Sequence, residues 1–252
     1  MDTELIKLEY SNNICILSLN RGITNAINLT LVKQLSDKLN MLRGDKNINS
    51  IILTSSNTNF FAIGFDIPEF LNLHQEEFRE FYTAFNKLCL DLYTFPKPLV
   101  AALTGHTTAG GCILALCCDY RFIAEGRKFM GLNEIKLGVP VPYVGDCVLT
   151  QLVGYNKARE ITDFGEFYLP EQLLKFGMVD EVFPIDDLLK KAIEKAKKLG
   201  FAPEAFSIIK KNRVEKIENK ILKSLSAKEK AFIQLWYSPE CRKLIQEAAK
   251  KF

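Results

Sequence analysis

Histidine and tryptophan are nearly missing from this chain: 252 residues hold two of the first and one of the second. The histidines, His74 and His106, are far apart, and the seven cysteines form no C-x-x-C pair, so no metal site is expected. The cysteine number is odd, and Cys15, Cys89, Cys112, Cys117, Cys118, Cys147 and Cys241 lie mostly in apolar runs. That usage reads as reduced, buried thiols rather than a disulfide framework. An excess of one charge is also lacking. Lys+Arg number 33 against Asp+Glu 30, which offers no basis for binding nucleic acid. No apolar run reaches ~18 residues, so no membrane span is expected. The opening MDTELIKLEY is neither a signal nor a transit peptide, and Lys250-Lys251-Phe252 is not a peroxisomal signal, so a cytoplasmic protein is expected. There is no G-x-G-x-x-G, no G-x-x-x-x-G-K-[ST] and no G-x-S-x-G. Nicotinamide-dependent oxidation, P-loop hydrolysis and serine hydrolysis are disfavoured accordingly.

A hydrophobic fraction of 48% is ample for a packed core. The spacing predicts strands at Leu5–Tyr10, Ile14–Leu19, Ser50–Thr54, Leu99–Leu103 and Met178–Phe183. Helical spacing marks Leu29–Arg43 with Thr30 as a candidate cap, then Glu69–Tyr93, Asp146–Val153, Lys157–Thr162, Phe167–Gly177 and Asp186–Leu199. Strand–helix–strand order implies right-handed crossovers and a mostly parallel sheet, hence an α/β class. The remainder is helical, broken near Phe201-Ala202-Pro203 and at Pro239. Its apolar positions, Phe232, Leu235, Trp236 and Leu244 among them, need either the core or a neighbouring subunit to cover them. The division drawn is a core over residues 1–190 and a helical packing and trimerisation region over 191–252. The lysines of this region suit a solvated helix face better than an anion site.

The chain is organised around Gly105–Glu134. Ala109-Gly110-Gly111 follows a buried strand and opens an apolar helix, and Ala62–Ile67 follows another strand with Gly64 in it. Ligands of open α/β sheets bind beyond such strand ends. Two such turns can each offer one backbone N–H to a single oxyanion, although each alone is equally a tight turn. Glu134 lies between Leu132 and Ile135, where a carboxylate takes a raised pKa suited to acid/base work; a surface Glu on a strand end is the plainer reading. Asp119 reads as a structural ion pair or cap, His106 as a loop hydrogen-bonder or a base, His74 as a solvated helix residue, and Asp146 as a helix N-cap.

These residues together resemble the crotonase (enoyl-CoA hydratase/isomerase) superfamily. The resemblance rests on Phe61–Ile67 with Gly64 and Asp66, on Pro98–Asp119 with Ala109-Gly110-Gly111-Cys112, on Leu132-Asn133-Glu134, and on Phe176–Val182. It implies a ClpP-like spiral of ββα units with a C-terminal helical region, assembled as trimers or dimers of trimers. It also implies an acyl-CoA thioester partner, with CoA part of the substrate and no other cofactor. The oxyanion hole would fall on the backbone N–H groups of Phe65 and Gly110. CoA and substrate would contact Asn25, Ala26, Ile27, Ile63, Gly64, Asp66, Ile67 and Asn133.

Within that family, hydratases carry two glutamates. The first position here is Ile113, and only the second, Glu134, is retained. The resemblance is closest to Δ3,Δ2-enoyl-CoA isomerases, in which Glu134 would be the single acid/base and Asn133 would help position it or the substrate. A dienoyl-type second acid would stand at Pro142. Alternatives are decarboxylation or thioester hydrolysis, recruiting His106 or Asp146, and a non-catalytic acyl-CoA-binding homologue.

Overall fold

The computed structural model describes residues 4–250. β1 (Ile6–Ser11) and β2 (Ile14–Leu19) form an antiparallel hairpin turned at Asn12, and α1 (Leu29–Gly44) leads to β3 (Ser50–Ser55), parallel to β2. Then come β4 (Phe60–Ala62), α2 (Ile67–Phe70), α3 (Gln75–Tyr93), β5 (Leu99–Leu103), β6 (His106–Thr108) and α4 (Gly110–Leu116). β7 (Tyr120–Ala124) and β8 (Met130–Gly131) precede a 3-10 turn, Glu134–Leu137, and α5 (Tyr143–Val153). The chain continues through α6 (Tyr155–Phe164), β9 (Phe167–Tyr168), α7 (Pro170–Phe176), β10 (Glu181–Phe183), α8 (Ile185–Leu199), α9 (Pro203–Trp236) and α10 (Pro239–Ala249).

The strands build a six-stranded sheet, β1-β2-β3-β5-β7-β10, and a four-stranded one, β4-β6-β8-β9. From β3 to β8, consecutive strands therefore alternate between sheets. β3, β5 and β7 lie in the large sheet, while β4, β6 and β8, which follow each of them, lie in the small one, and a helix follows each pair. This is a crotonase-type spiral of ββα units. β2, β3 and β5 are buried along their whole lengths, as strands covered on both faces must be. One face packs on Leu188, Ala192 and Ala196 of α8; the other meets α1, α3 and the helices around the small sheet.

Local chemistry explains where several elements begin. Asn28, not Thr30, caps α1: its side chain accepts from Leu31 N at 3.0 Å. The helix then buries Leu31, Val32, Leu35, Leu39 and Leu42, each contributing about 1.5–3 kcal/mol. The single helix expected over Glu69–Tyr93 is two. Asp66 caps α2 by accepting from Glu69 N at 3.1 Å, the chain bends through Leu71–Leu73, and α3 restarts after His74. His74 is exposed, and its backbone N–H donates to the Glu77 carboxylate at 2.9 Å. The bend exists because its carbonyls are used elsewhere. Arg242 donates to Leu71 O and the Tyr237 hydroxyl to Leu73 O.

Phe167–Gly177 is likewise not one helix: Phe167 and Tyr168 pair with β8, and Pro170 opens α7. The last strand keeps only Glu181–Phe183 of the expected Met178–Phe183. Asp146 is not a cap either, because Pro142 occupies that place and α5 starts at Tyr143.

Of the tail's apolar positions, Phe232 and Trp236 are buried against the core of the same chain, whereas Leu235 and Leu244 stay exposed. Trp236 stacks on Phe78 at 4.4 Å between centroids, and Phe232 on Tyr82 at 4.1 Å. A buried ion-pair cluster ties α9 to the sheet: Asp119 accepts from Leu99 N at 2.9 Å, Lys210 Nζ at 2.8 Å and Arg213 at 2.6 Å. Residue 190 falls inside α8, so the division at 190/191 cuts a continuous helix. Among the described residues, no helix is long and apolar enough to cross a membrane.

Candidate active site

Glu134 opens the 3-10 turn that follows β8, and Gly138 ends that turn in the left-handed region. The side chain is drawn into the interior and is 5% exposed. Its Oε2 has no hydrogen-bond partner among the described residues. Burial pushes its pKa up to about 8, a shift that its own backbone N–H partly opposes. The plain reading of a solvated Glu is thereby overturned. A carboxyl that changes charge near neutral pH can both take and return a proton.

Two turns face it. Ile27 N donates to Gly64 O at 2.7 Å and Asp66 N to Ile27 O at 3.0 Å. The residues flanking Phe65 thus carry the bonds of this bridge, and the Phe65 amide has no backbone acceptor among the described residues. Gly110 is the first residue of α4, so its amide has no partner within the helix. The turn before it is tight. Ala109 has φ +48°, an unfavourable value for a residue with a side chain, and its N–H is held by Gly131 O at 2.9 Å. Gly111 packs on β4 so closely that a Cβ there would lie 2.2 Å from Ala62 O. Phe65, Gly110 and Glu134 line one cavity, of about 640 Å³. A cavity that shares an unpaired carboxyl with two such turns has the groups needed for chemistry in which charge develops on a carbonyl oxygen as a proton moves.

The cavity's walls are mostly apolar: Ile63, Phe65, Ile67, Leu137, Val139, Pro142, Phe232, Trp236 and Leu244. Asn133, Ile63 and Ile67 line it, as does Thr24 of the early loop. Asn25 does not reach it with its side chain. That residue is fully buried at φ +49°; its Oδ1 accepts from Arg21 N, and its Nδ2 donates to Ser55 Oγ and Phe61 O. It holds the loop in shape. Ala26 and Ile27 are also buried, Gly64 turns the chain at φ +102°, and Asp66 pairs with Arg21 at 2.7 Å. Arg21 also donates to Ala26 O and Glu69, so it clamps both loops, a role that sequence spacing did not reveal.

The other candidates sort plainly. His106 Nδ1 accepts from Phe129 N at 3.1 Å, and burial holds its pKa below the usual value; it shapes the loop outside the cavity lining. Asp119 is the ion-pair anchor described above. Asp146 lies outside the lining, half-buried, its pKa raised by burial against the opposing effect of Lys220 and Lys228. Ile113 is fully buried, packed towards Gly145 of α5. The far wall of Phe232, Trp236 and Leu244 was missed as part of the site; their helical spacing showed only that they needed a surface.

Residues 9–251 match the family described as "Enoyl-CoA hydratase/isomerase". The mouse protein "Enoyl-CoA delta isomerase 1, mitochondrial" is 32% identical over 213 residues, covering 84% of this chain and 74% of that one. The "Crotonyl-CoA hydratase" of Syntrophomonas wolfei is 31% identical over 190 residues, covering 75% of this chain and 73% of that one. The crystal structure of human mitochondrial delta3-delta2-enoyl-CoA isomerase superposes with a TM-score of 0.94 at 25% identity, covering 98% of each chain. The spiral of ββα units with its C-terminal helices is the crotonase fold, and the match over residues 9–251 shows that this chain belongs to the enoyl-CoA hydratase/isomerase family.

Proposed function

We propose that the chain is a Δ3,Δ2-enoyl-CoA isomerase that works with Glu134 alone. The observation that carries this reading is that Glu134 is the one buried carboxyl on the cavity lining among the described residues; the other lining carboxylate, Glu247, is exposed and paired with Lys250. In the reaction, the Glu134 carboxylate takes a proton from C2 of a 3-enoyl thioester. The C2–H electrons move toward the carbonyl, and the amides of Phe65 and Gly110 hold the enolate oxygen. The protonated Glu134 then delivers the same proton to C4, as the double bond settles between C2 and C3. Atoms and electrons balance within one substrate, so the reaction needs no cofactor; CoA is the substrate's handle.

Hydration would require a second group to hold water. Ile113, at the place of that group, is a hydrocarbon packed in the core, and Pro142 offers no acid either. The mouse and human relatives bear isomerase names, which supports the same choice. The test is a 3-enoyl-CoA assay read by the rise of conjugated thioester absorbance. Wild type should turn over, and Glu134→Gln should lose about 10²–10⁴-fold in kcat. Undiminished activity in that variant would sink the assignment.

The same reading takes the working unit to be a trimer or a pair of trimers. Exposed apolar side chains at Ile135, Phe164 and Phe167 support an assembled state, and sedimentation measures it. A reducing, cytoplasmic setting goes with seven free, buried cysteines.

A further inference from the structure

A trans peptide unit is planar, and its C=O and N–H point in opposite directions, so whatever holds the carbonyl aims the amide. The Gly110 N–H shares its unit with Ala109 O, which accepts from Ile113 N at 3.0 Å within α4. The Phe65 N–H has no such helix behind it. It shares its unit with Gly64 O, which accepts from Ile27 N at 2.7 Å. The Ile27 N–H in turn shares its unit with Ala26 O, and that oxygen accepts from Arg21 Nη1 at 2.7 Å.

Two peptide units therefore run in series from a guanidinium to the Phe65 amide. Each hydrogen bond in such a series polarises the next, by about 10–30% per bond. A series that starts on a cation starts on the stronger kind of bond. Its start is also fixed in place. Arg21 Nη2 lies 2.7 Å from Asp66 and 3.0 Å from Glu69, and the Arg21 backbone N–H is held by Asn25 Oδ1 at 2.7 Å. Nη1 is thereby left for Ala26 O. Ala26, Ile27 and Gly64 are buried, so bulk water does not compete for the series.

We propose that Arg21 is a positioning residue for the isomerisation: through Ala26 O and Gly64 O it aims the Phe65 N–H and strengthens it as a donor to the enolate oxygen. The inference rests on the acyl-CoA reading above. The rival role is direct contact with CoA, because Arg21 also borders a cleft with Thr24 and Ala249 beside the main cavity. The two roles differ in what they change. A contact with CoA acts on binding, whereas a strengthened donor acts on the transition state.

The probe is a saturated acyl-CoA, isotope-labelled at its thioester carbonyl and read by difference infrared spectroscopy. Hydrogen bonds to that carbonyl lower its stretching frequency, so binding to wild type should lower it. In saturated Arg21→Met the lowering should shrink. On 3-enoyl-CoA, kcat should fall about tenfold and KM should stay within about twofold, since one donor is weakened and not removed. A 3-enoyl thioester of N-acetylcysteamine, which lacks the nucleotide, should lose kcat by the same factor. Arg21→Lys, which keeps a cation beside Asp66, should recover most of both losses. A full frequency change in Arg21→Met would overturn the inference. So would a loss confined to KM or to the CoA thioester, or a folded Arg21→Lys that does no better than Arg21→Met. Wild type supplies a check that needs no variant: the Ile27 amide proton should move downfield in NMR when the acyl-CoA binds, and a proton that does not move overturns the series. A bound thioester whose frequency is unchanged in wild type would instead remove the oxyanion hole, and a thioester that does not bind would remove the acyl-CoA reading.

Discussion

Gly64 and Ala109 approach so closely that a Cβ on Gly64 would sit 2.8 Å from the Ala109 Cβ and 3.1 Å from the Gly110 nitrogen. The two loops that present the Phe65 and Gly110 amides are thus spaced by the absence of one methyl group. Gly64 also holds φ +102°, which L side chains rarely adopt. Gly64→Ala should push the loops apart, lowering stability by about 1–3 kcal/mol in urea unfolding. It should also lower kcat on 3-enoyl-CoA by about 10²-fold, since a donor displaced from an oxyanion loses most of its effect.

Burial of Glu134 makes both activity and stability depend on pH. Only the carboxylate takes a proton, so kcat/KM should rise with pH and level off above about 8. The effect on stability has the opposite direction. Between its ordinary pKa and about 8 the folded chain holds a proton on Glu134 that the unfolded chain has released. Stability from this group is therefore full below the unfolded pKa and is lost as pH rises to about 8, by on the order of 5 kcal/mol in all. Urea unfolding of wild type and Glu134→Gln from about pH 5 to about pH 9 checks this; the variant should lack that part of the slope.

The proposed single-acid mechanism takes Ile113 to stand where a hydratase has its second acid; the side chain is fully buried, and a Cβ on Gly145 would meet its Cγ1 at 2.8 Å. Wild type should therefore hydrate a 2-enoyl-CoA at least about 100-fold more slowly than it isomerises the matching 3-enoyl-CoA. Both rates are read from conjugated thioester absorbance, falling in one case and rising in the other. Comparable rates would contradict the single-acid mechanism.

Asp119 and Lys210 are a buried pair, their side chains 3% and 2% exposed. Asp119→Ala strands the Lys210 ammonium in the interior and should cost about 3–5 kcal/mol. Adding Lys210→Met should restore much of that loss, because no buried ion is then left unpaired; Arg213, which also loses Asp119, is half exposed and is served by water. Thermal and urea unfolding of the single and double variants measure the coupling.

Much of the large sheet was legible in the residues. Ile14–Leu19, Ser50–Ser55 and Leu99–Leu103 are short apolar runs between polar turns, and burial on both faces requires just such runs. The break at Leu71–Leu73 was not legible. Apolar residues continue through it at helical spacing, and its carbonyls are claimed by Tyr237 and Arg242 far downstream. β9 was hidden for the same reason: two residues pair with β8 only because the spiral brings them there. In the site, Glu134 and the glycine turns carry local signals, but the burial of Glu134 did not follow from them: its neighbours along the chain suited a surface Glu as well, and only the fold sinks it. The loop lock at Asn25 and the far wall at Trp236 depend on partners distant in sequence, so no local pattern announced them.

That far wall is the last part of the pocket to be synthesised. Glu134 and both amide-bearing loops belong to the spiral, whereas Phe232, Trp236 and Leu244 arrive on α9 and α10, roughly a hundred residues later in synthesis. Until α9 and α10 have been added, a growing chain holds the acid and the two amide-bearing loops without this far wall.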